Sequence, residues 1–219
     1  MDEKKEYKHK DASIAIIDDH EAILEGIYSY LKRQGINKVD VFTSPEAMEK
    51  AAVSTHYDVY IIDVELKEDT GLSLVGIIRK ADPNARILIY TMHEEVWIVR
   101  EIQSRDVNGV LYKSARMEEV LDAIDALMAG RKYFSKKYHI AARRITTTSA
   151  QLSKRELEVL KKIAQGHSSK DIAKLLFISE NTVETHRRNL FAKLQANNVA
   201  DLIVKAIARG YIDVKEIGE

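Results

Sequence analysis

The stretch IAIIDDH, residues 14–20, decides the fold of the first half of the chain. Four consecutive apolar residues, three of them isoleucine, run directly into Asp18 and Asp19. A short, uninterrupted apolar run of this kind is typical of a strand that is buried on both faces of a parallel sheet. Two adjacent carboxylates at the end of such a strand repel each other, so we expect a positive group that holds them together.

Apolar runs of the same kind recur at intervals up to residue 114. They are KVDVFT (38–43), YDVYIID (57–63), ARILIYT (85–91) and NGVLYKS (108–114). A helical pattern follows each of the five runs. Five strand–helix units in this order predict an α/β fold, a doubly wound (βα)5 parallel sheet with helices on both faces.

The sequence also predicts where some of these helices begin and end. The first helical pattern covers residues 20–35 and ends at Gly35. The second begins with Ser44 as the cap and Pro45 at the first helical position. The buried face of the first helix is predicted to consist of Ile23, Ile27, Tyr30 and Leu31.

Polar side chains follow four of the five predicted strands. Besides Asp18 and Asp19 after the first strand, Asp63 follows the third, Thr91 the fourth and Lys113 the fifth. Functional groups of parallel sheets collect beyond the carboxyl ends of the strands, so these side chains should meet at one edge. Three carboxylates suit a hard divalent cation, and Mg²⁺ would offset the repulsion between the paired aspartates.

Composition excludes several classes of protein. The chain has 219 residues, enough for two domains, and 45% hydrophobic and 31% charged residues are typical of a globular protein. The absence of cysteine excludes disulfides, thiolate metal sites and cysteine nucleophiles. We predict no membrane-spanning helix, and the charged N-terminus lacks an apolar signal core, so we expect a cytoplasmic protein.

The formal net charge of zero conceals an uneven distribution. Residues 1–130 contain 16 Lys and Arg against 25 Asp and Glu, a balance of −9. Residues 131–150 contain six basic residues and no acid, and residues 151–219 contain 12 against 9, a balance of +3. An acidic first part and a basic second part indicate two domains, the second with a polyanion as partner, although uneven solvation explains the charge equally well.

The second half of the chain is entirely helical in pattern from about Leu152. Ser153 with Glu156, and Ser168 with Asp171, have the spacing of a capping box. Ser179 is the predicted cap of the third helix, and few residues separate the second helix from the third. Four short helices joined in this way predict a helix-turn-helix. The apolar face of the first is predicted to comprise Leu157, Leu160, Ile163 and Ala164.

The third helix carries the predicted recognition surface. Its core stripe is predicted to be Val183, His186, Leu190 and Leu194, with Asn181, Glu184, Thr185 and Arg188 on the opposite face. In a major groove, Arg188 would read guanine, Glu184 would accept from cytosine and Thr185 would touch a thymine methyl group. The predicted phosphate contacts are Lys170, Ser179, Thr182, Arg187 and Lys193. By pattern alone, a solvated helix face is an equally good interpretation.

The polar residues at the strand ends resemble the receiver domain of two-component response regulators over roughly residues 12–130. The resemblance implies that Asp63 attacks the phosphohistidine of a sensor histidine kinase and becomes an aspartyl phosphate. It implies that Asp18, Asp19, Asp63 and the backbone carbonyl of Glu65 hold Mg²⁺. Thr91 and Lys113 would bind the phosphoryl group and transmit the switch. His20 and His93 are interpreted as ordinary loop histidines rather than as a metal ligand or proton donor.

Two positions depart from this family pattern. Lys67 stands four residues after Asp63, where many receivers have proline. Val110 stands where a switching aromatic residue is often found, three positions before Lys113. Tyr90 and Tyr112 are the nearest aromatic candidates for that role.

LSKRELEVLKKIAQGHSSKDIAKLLFISENTVETHRRNLFAKL resembles the LuxR-type helix-turn-helix. The whole chain therefore resembles a NarL/FixJ-type response regulator, with domains at 12–130 and 151–216 and a basic linker at 131–150. The resemblance implies double-stranded DNA and a homodimer on DNA, with half-sites about 10 bp apart. Ile203 and Ile207 in the last helix would serve either that dimer or the core. A short basic helix is expected within 135–145 and a flexible link at 146–151.

The implied function is control of transcription and not an enzymatic activity, apart from transfer of a phosphoryl group to Asp63 and its slow hydrolysis. Two alternatives stay open from the sequence. One is a regulator that works without phosphorylation and uses the receiver only as an interaction module. The other is a Mg²⁺-dependent phosphate hydrolase with a DNA-binding appendix, which Thr91 and Lys113 disfavour.

Overall fold

The computed structural model describes residues 8–66, 70–147, 152–214 and 217 of the chain. The chain divides into two compact units. One comprises the residues up to Glu94 together with Ile102–Ile140, and the other comprises Glu95–Glu101 together with the residues from Ala141 onward. Within the described parts, no helix is both long and apolar enough to cross a membrane.

The first unit is built on a six-stranded sheet in which every strand pair is parallel. The strands follow the spatial order β2-β1-β3-β4-β5-β6. They are β1 (Ser13–Ile17), β2 (Lys38–Phe42), β3 (Val59–Ile62), β4 (Ile87–Thr91), β5 (Gly109–Tyr112) and β6 (Tyr133–Phe134). The expected doubly wound α/β fold is therefore confirmed for the first five strands.

The sixth strand, β6, was not expected from the sequence. The backbone N–H of Tyr133 donates to the Asn108 carbonyl, and that of Ser135 donates to the Val110 carbonyl. These hydrogen bonds add β6 to the free edge of β5. A two-residue strand has too few positions to show an alternating pattern, so the sequence offered no signal for it.

Six helices accompany the sheet and its C-terminal extension. They are α1 (Glu21–Arg33), α2 (Pro45–Ser54), α3 (Leu72–Ala81), α4 (Val96–Gln103), α5 (Met117–Met128) and α6 (Lys136–Thr147). The side chains of β1 are buried on both faces of the sheet. Ile14 and Ile16 belong to a core cluster with residues of α1 and α5, and Ala15 and Ile17, which lie outside that cluster, are buried as well. Burial on both faces explains why the strands are apolar throughout.

Helix α1 shows how the predicted face differs from the buried one. Leu24, Ile27 and Leu31 are buried, whereas Ile23 and Tyr30 pack at the edge of the core and are only half-buried. The expected roles of Ser44 and Gly35 are confirmed: the Ser44 hydroxyl accepts from the N–H of Ala47 at the start of α2, and Gly35 has φ +90° after α1. Glycine adopts this left-handed conformation without steric cost.

Helix α6 is longer than the short basic helix that we expected. It extends through Thr146 and Thr147, which the sequence indicated as part of a flexible link; residues 148–151 of that link lie outside the described residues. Tyr138 is buried and stacks on Phe134 with 5.4 Å between ring centroids. Lys136, Lys137 and His139 are exposed around this aromatic anchor.

The second unit contains a four-helix domain after α6. Its helices are α7 (Lys154–Ala164), α8 (Ser169–Leu176), α9 (Glu180–Leu194) and α10 (Val199–Ala208). They enclose one apolar core that includes Val159, Leu160 and Leu190. Val159 takes the buried position that we expected for Leu157, which is only half-buried.

Serine hydroxyls cap three of these helices, as the sequence predicts. Ser153 and Glu156 form a complete capping box, with Ser153 accepting from the Glu156 N–H and the Glu156 carboxylate accepting from the Ser153 N–H at 2.7 Å. The Ser168 hydroxyl accepts from the Asp171 N–H. The Asp171 carboxylate contacts this same hydroxyl at 2.5 Å, whereas in a capping box it would accept from the backbone N–H of the cap residue. Ser179 accepts from the Thr182 N–H at the start of α9.

Candidate functional site

The first candidate site is an acidic pocket at the carboxyl edge of the sheet. Asp18 follows β1, Asp63 follows β3, and their relative exposures are 1% and 2%. Lys113 follows β5, and its Nζ lies 2.6 Å from Asp18 Oδ2 and 2.7 Å from Asp63 Oδ2. One buried ammonium group therefore joins two carboxylates that are 45 positions apart in the chain. Lys113 is therefore a positive group of the kind that we expected to hold the clustered carboxylates together at this edge.

Asp19 and His20 complete the acidic pocket on the α1 side. His20 Nδ1 lies 2.7 Å from Asp19 Oδ1 and 3.2 Å from Asp18 Oδ1, and its backbone N–H donates to Asp18 Oδ1 at 2.9 Å. His20 therefore contacts the acidic pair directly, which our interpretation of an ordinary loop histidine did not include. Its side chain remains 61% exposed, so it lies at the rim of the pocket.

The Asp63 carboxylate is held through both of its oxygens. Oδ1 accepts from the Val64 N–H at 2.7 Å, while Oδ2 accepts from Lys113 Nζ. Burial raises the pKa of the Asp63 carboxyl, and the negative charge of Asp18 adds to this, although the hydrogen bond and positive charge of Lys113 oppose it. A buried carboxylate held in this way is sparingly solvated, which favours it as a nucleophile toward an electrophile that enters the pocket.

Thr91 lies at the same edge of the sheet, on the strand between β3 and β5. It is fully buried, and its backbone carbonyl accepts from the Lys113 N–H at 2.8 Å, which couples the ends of β4 and β5. The Thr91 hydroxyl accepts from the His93 N–H at 3.1 Å. Within the described parts of the chain, the hydroxyl proton has no acceptor of its own, so it can be donated to a further group.

Glu65 and His93 connect two loops beside the pocket. Glu65 Oε2 and His93 Nε2 are 2.5 Å apart, which joins the loop after β3 to the loop after β4. The Glu65 carboxylate is thus engaged with His93, and the metal role implied by the family resemblance concerns only its backbone carbonyl. Residues 67–69, including the Lys67 departure, lie outside the described residues.

The donor set of the pocket fits a divalent cation. Ligand atoms of Asp18, Asp19, His20 and Asp63 all lie within 4.8 Å of one another. Asp19 Oδ1 is buried and makes no hydrogen bond within the described parts of the chain, although His20 Nδ1 is close. Three carboxylates against one lysine leave excess negative charge, and carboxylate oxygens are the ligands that Mg²⁺ prefers.

The second candidate site is the outer face of α9. Val183, Leu190 and Leu194 are buried as predicted, while His186 is half-buried and its Nδ1 lacks a hydrogen bond within the residues described. Asn181, Glu184, Thr185 and Arg188 form one exposed polar stripe.

Contacts within the stripe tie its members to each other. Thr185 Oγ1 donates to the Asn181 carbonyl at 3.0 Å, and Arg188 donates to Thr185 Oγ1 at 3.4 Å. Glu184 contacts the Ser169 hydroxyl and lies 3.6 Å from Arg187 Nε. The three hydrogen bonds are exposed and the Glu184–Arg187 contact is partly exposed, so a ligand with donors and acceptors of its own can replace them.

The predicted phosphate contacts differ in how they are engaged. Lys170 is exposed, and the Ser179 and Thr182 hydroxyls hydrogen-bond each other at 2.7 Å at the start of α9. Lys193 instead places its Nζ 2.7 Å from Oε2 of the buried Glu156. Burial alone would raise the pKa of Glu156, but hydrogen bonds from Lys193 and Ser153 outweigh it and the pKa is lowered.

Sequence reasoning did not anticipate this Glu156–Lys193 pair. The two residues lie on different helices, α7 and α9, 37 positions apart, and only their packing brings them together. Glu156 had a sufficient explanation as the second member of a capping box. A carboxylate with two partners on different elements leaves no signature in the local pattern of either helix.

Comparisons with known proteins identify a domain family for each half of the chain. Residues 14–125 match the model of the response regulator receiver domain, and residues 150–206 match that of the luxR family of bacterial regulatory proteins. The nitrate/nitrite response regulator protein NarP of Escherichia coli (strain K12) is 32% identical over 205 residues, which cover 90% of this chain and 95% of NarP. The oxygen regulatory protein NreC of Staphylococcus haemolyticus is 29% identical over 214 residues, covering 91% and 99%.

Solved structures lead to the same fold. RcsB from Salmonella enterica serovar Typhimurium, bound to promoter P1flhDC in the presence of the phosphomimetic BeF3−, has a TM-score of 0.64 and 25% identity. The match covers 90% of this chain and 98% of RcsB. The fold and the two sites define a receiver domain joined to a DNA-binding helix-turn-helix. The chain belongs to the NarL/FixJ-type two-component response regulators, which regulate transcription through a LuxR-type DNA-binding domain and are not enzymes.

Proposed function

We propose that Asp63 is the phosphoacceptor, that a partner sensor histidine kinase supplies the phosphoryl group, and that the resulting aspartyl phosphate switches sequence-specific DNA binding. One observation carries this proposal: the Lys113 ammonium lies within 2.7 Å of both Asp63 and Asp18 inside a buried pocket. Such a group can neutralise negative charge where a phosphoryl group would arrive. The domain limits that accompany the proposal are 12–130 and 151–216, with the linker at 131–150.

In the proposed transfer, a carboxylate oxygen of Asp63 attacks the phosphorus of a phosphohistidine. A P–O bond to Asp63 forms while the P–N bond breaks, and the electron pair leaves with the imidazole of the kinase, which is then protonated. Lys113 moves from the carboxylate to a phosphoryl oxygen over a short distance. The chain itself contributes positioning and charge neutralisation, which is what phosphoryl transfer chiefly requires.

Asp18, Asp19, Asp63 and the backbone carbonyl of Glu65 would hold Mg²⁺ in this pocket. When bound, the cation supplies additional positive charge that stabilises the phosphoryl oxygens during transfer. The receiver family generally uses Mg²⁺ at an acidic pocket, and the clustering of ligand atoms of Asp18, Asp19 and Asp63 within 4.8 Å of one another supports the same use here. His20 at the rim adds a nitrogen donor close to the acidic pair.

Thr91 and Lys113 would carry the signal away from Asp63. The Thr91 hydroxyl, whose proton has no acceptor among the described residues, would bond a phosphoryl oxygen on Asp63 and draw the end of β4 toward the pocket. The Lys113 N–H is already bonded to the Thr91 carbonyl, so the end of β5 would move with β4. Val110 is buried in β5 at the position of the usual switch aromatic, and the buried Tyr90 and Tyr112 are the aromatic residues nearest in the two strands.

The second domain would bind double-stranded DNA with α9 in the major groove. Glu184, Thr185 and Arg188 are the proposed base-reading residues, and Lys170, Ser179, Thr182, Arg187 and Lys193 the proposed phosphate contacts. RcsB was solved on promoter DNA with BeF3−, which supports a link between phosphorylation and DNA binding in this chain also. We further propose that the chain binds DNA as a homodimer, in the cytoplasm, where its DNA target would be.

The direct test is phosphoryl uptake by the full-length protein. The protein is incubated with acetyl phosphate and Mg²⁺, and the intact mass is measured. We expect one added phosphoryl group in the wild type and none in Asp63→Asn. The matched control is Asp106→Asn, because Asp106 is an exposed aspartate that precedes β5 at the opposite end of the sheet. Uptake that persists in Asp63→Asn, or fails only in Asp106→Asn, contradicts the assignment.

The same variants separate the two alternative functions. A regulator that works without phosphorylation binds DNA equally well as wild type, as Asp63→Asn, and after treatment with acetyl phosphate. A phosphate hydrolase releases inorganic phosphate rapidly from acetyl phosphate while little phosphoryl group stays on the protein, whereas the proposed switch accumulates one phosphoryl group per molecule and loses it slowly. We expect neither outcome. We propose that Asp63 retains its phosphoryl group long enough to act as a switch, with Lys113 bound to a phosphoryl oxygen.

A further inference from the structure

Phe177, in the turn between α8 and α9, combines two unfavourable properties. Its side chain is 93% exposed, the highest value among the exposed large hydrophobic residues of the described chain. Its φ is +55°, in the left-handed region that a residue with a bulky side chain adopts only at a steric cost. Glycine or asparagine is the usual residue at such a helix end. Folding of the turn therefore does not explain a phenylalanine here.

The surroundings of Phe177 combine two lysines with apolar side chains and one carboxylate. Phe177 lines a shallow concavity of about 580 Å³ together with Lys170, Lys174, Ala173, Ile178, Ser179 and Glu180. Lys170 and Lys174 are one helical turn apart on α8, and both are exposed. Ser179 caps α9, so the N-terminal N–H groups of a 15-residue helix open at the same place. Glu180 in the concavity and the nearby Asp171 are the opposing charges.

We propose that this concavity receives the sugar–phosphate backbone of the DNA that α9 reads, with the Phe177 ring packed against a deoxyribose and Lys174 against the adjoining phosphate. The proposal rests on the proposed DNA binding and adds Phe177 and Lys174 to its contact set. Two lysines and a helix N-terminus match a phosphate, and an exposed ring matches the apolar face of a sugar. A purely apolar protein partner is disfavoured, because the charged side chains of Lys170, Lys174 and Glu180 line the same concavity as Phe177.

The ring and the lysine should leave different signatures in a salt titration. Lysine–phosphate contacts release counterions, so their loss reduces the dependence of affinity on salt, by about 0.9 in the slope of log affinity against log salt for each contact. A ring that packs on a sugar releases no counterion. Its loss weakens binding by a similar factor at every salt concentration and leaves the slope unchanged.

The test uses the full-length protein and a fluorescein-labelled duplex selected from random-sequence DNA on the wild type. Affinity is measured between about 50 and 200 mM salt. We expect Phe177→Gly to weaken binding about fivefold or more at every salt concentration. We expect Lys174→Gln to reduce the salt slope by about one contact. Val53→Ala is the matched control, because Val53 is an exposed apolar residue of α2 in the other unit.

Substitution by glycine distinguishes a DNA contact of the Phe177 ring from a structural role of the ring. Glycine relieves the left-handed strain at position 177, so the melting temperature of Phe177→Gly should equal or exceed that of the wild type while DNA affinity falls. A melting temperature that falls together with affinity overturns the proposal and makes the ring a structural element. Unchanged affinity overturns it too, and if in vitro transcription alone is lost, a protein partner uses Phe177 instead. Failure of the wild type to bind any duplex would count against the proposed function itself.

Discussion

The acidic pocket and the outer face of α9 hold their charged groups in different ways. In the pocket, Asp18, Asp63 and Lys113 are almost fully buried and neutralise one another at 2.6 and 2.7 Å. On α9, Glu184 and Arg188 are exposed, and their contacts are those between neighbours on a surface. A buried charge requires a partner inside the protein, whereas an exposed charge is free to take its partner from a ligand.

This difference explains why one site is well defined by the protein alone and the other is not. The pocket residues constrain each other, because the single Lys113 ammonium compensates two buried carboxylates and its removal would leave both without a cation. The residues on α9 become constrained only when DNA supplies donors and acceptors. The comparison therefore predicts large effects on stability in the pocket, and effects on recognition with little change in stability on α9.

The largest expected effect is the removal of the central charge of the pocket. Lys113→Ala leaves two carboxylates buried without their cation, so we expect the first unit to lose about 3–5 kcal/mol of unfolding free energy. Asp63→Asn should have the opposite sign or no effect, because one lysine then faces one carboxylate. Urea unfolding measures both variants, with the exposed Lys132→Ala as the control. Equal losses in Lys113→Ala and Lys132→Ala would mean that the buried pair contributes nothing.

On α9, Arg188→Ala should affect recognition rather than folding. A bidentate arginine–guanine contact is worth about 1–3 kcal/mol of discrimination against the wrong base. We expect affinity for a duplex selected on the wild type to fall by that amount, with the melting temperature unchanged. The exposed Lys38→Ala in β2 removes one positive charge far from α9 along the chain and serves as the control. A parallel loss for random-sequence DNA would assign Arg188 to a phosphate.

Glu156 is a buried charge within the DNA-binding unit, so the stability of that unit should depend on pH. Its pKa is lowered in the folded state, so its stabilising effect is present above the unfolded pKa and is lost as the pH falls through the folded pKa. We expect Glu156→Gln to cost about 1–2 kcal/mol at neutral pH and to flatten the acid-side decline in stability below about pH 4.5. Thermal unfolding followed by circular dichroism at a series of pH values measures both effects. Identical pH profiles for the variant and the wild type would remove this role.

Removal of a helix cap should change stability least, and each unit offers one capping serine for this test. Ser179 accepts from the Thr182 N–H at 3.1 Å, whereas Ser44 accepts from the Ala47 N–H at 3.4 Å. A serine-to-alanine substitution at a cap costs about 0.5–2 kcal/mol. We expect Ser179→Ala to lie near the middle of this range and Ser44→Ala near its lower end, as measured by urea unfolding. The reverse order would show that distance does not rank these two caps.

Features that depend on a local pattern or on strand order were predictable from the sequence. They are the five principal strands, the capping serines and the positions of Asp18, Asp63 and Lys113 at the strand ends. β6 was not predictable, since two residues cannot establish a period. The Glu156–Lys193 pair and the contact of His20 with the acidic residues depend on packing and loop geometry, which local patterns do not contain. The left-handed conformation of Phe177 was also missed. Helix ends with this conformation usually carry glycine or asparagine, so a phenylalanine gave no indication of it.

We propose that phosphorylation in the buried pocket changes what the exposed face of α9 binds. The most direct measurement adds beryllofluoride and Mg²⁺ to the full-length protein and follows its affinity for a duplex selected on the wild type. We expect a change in the affinity of the wild type that requires both additions and is absent in Asp63→Asn. A wild type whose affinity stays constant under these conditions, or an Asp63→Asn variant that responds equally, would contradict this proposal.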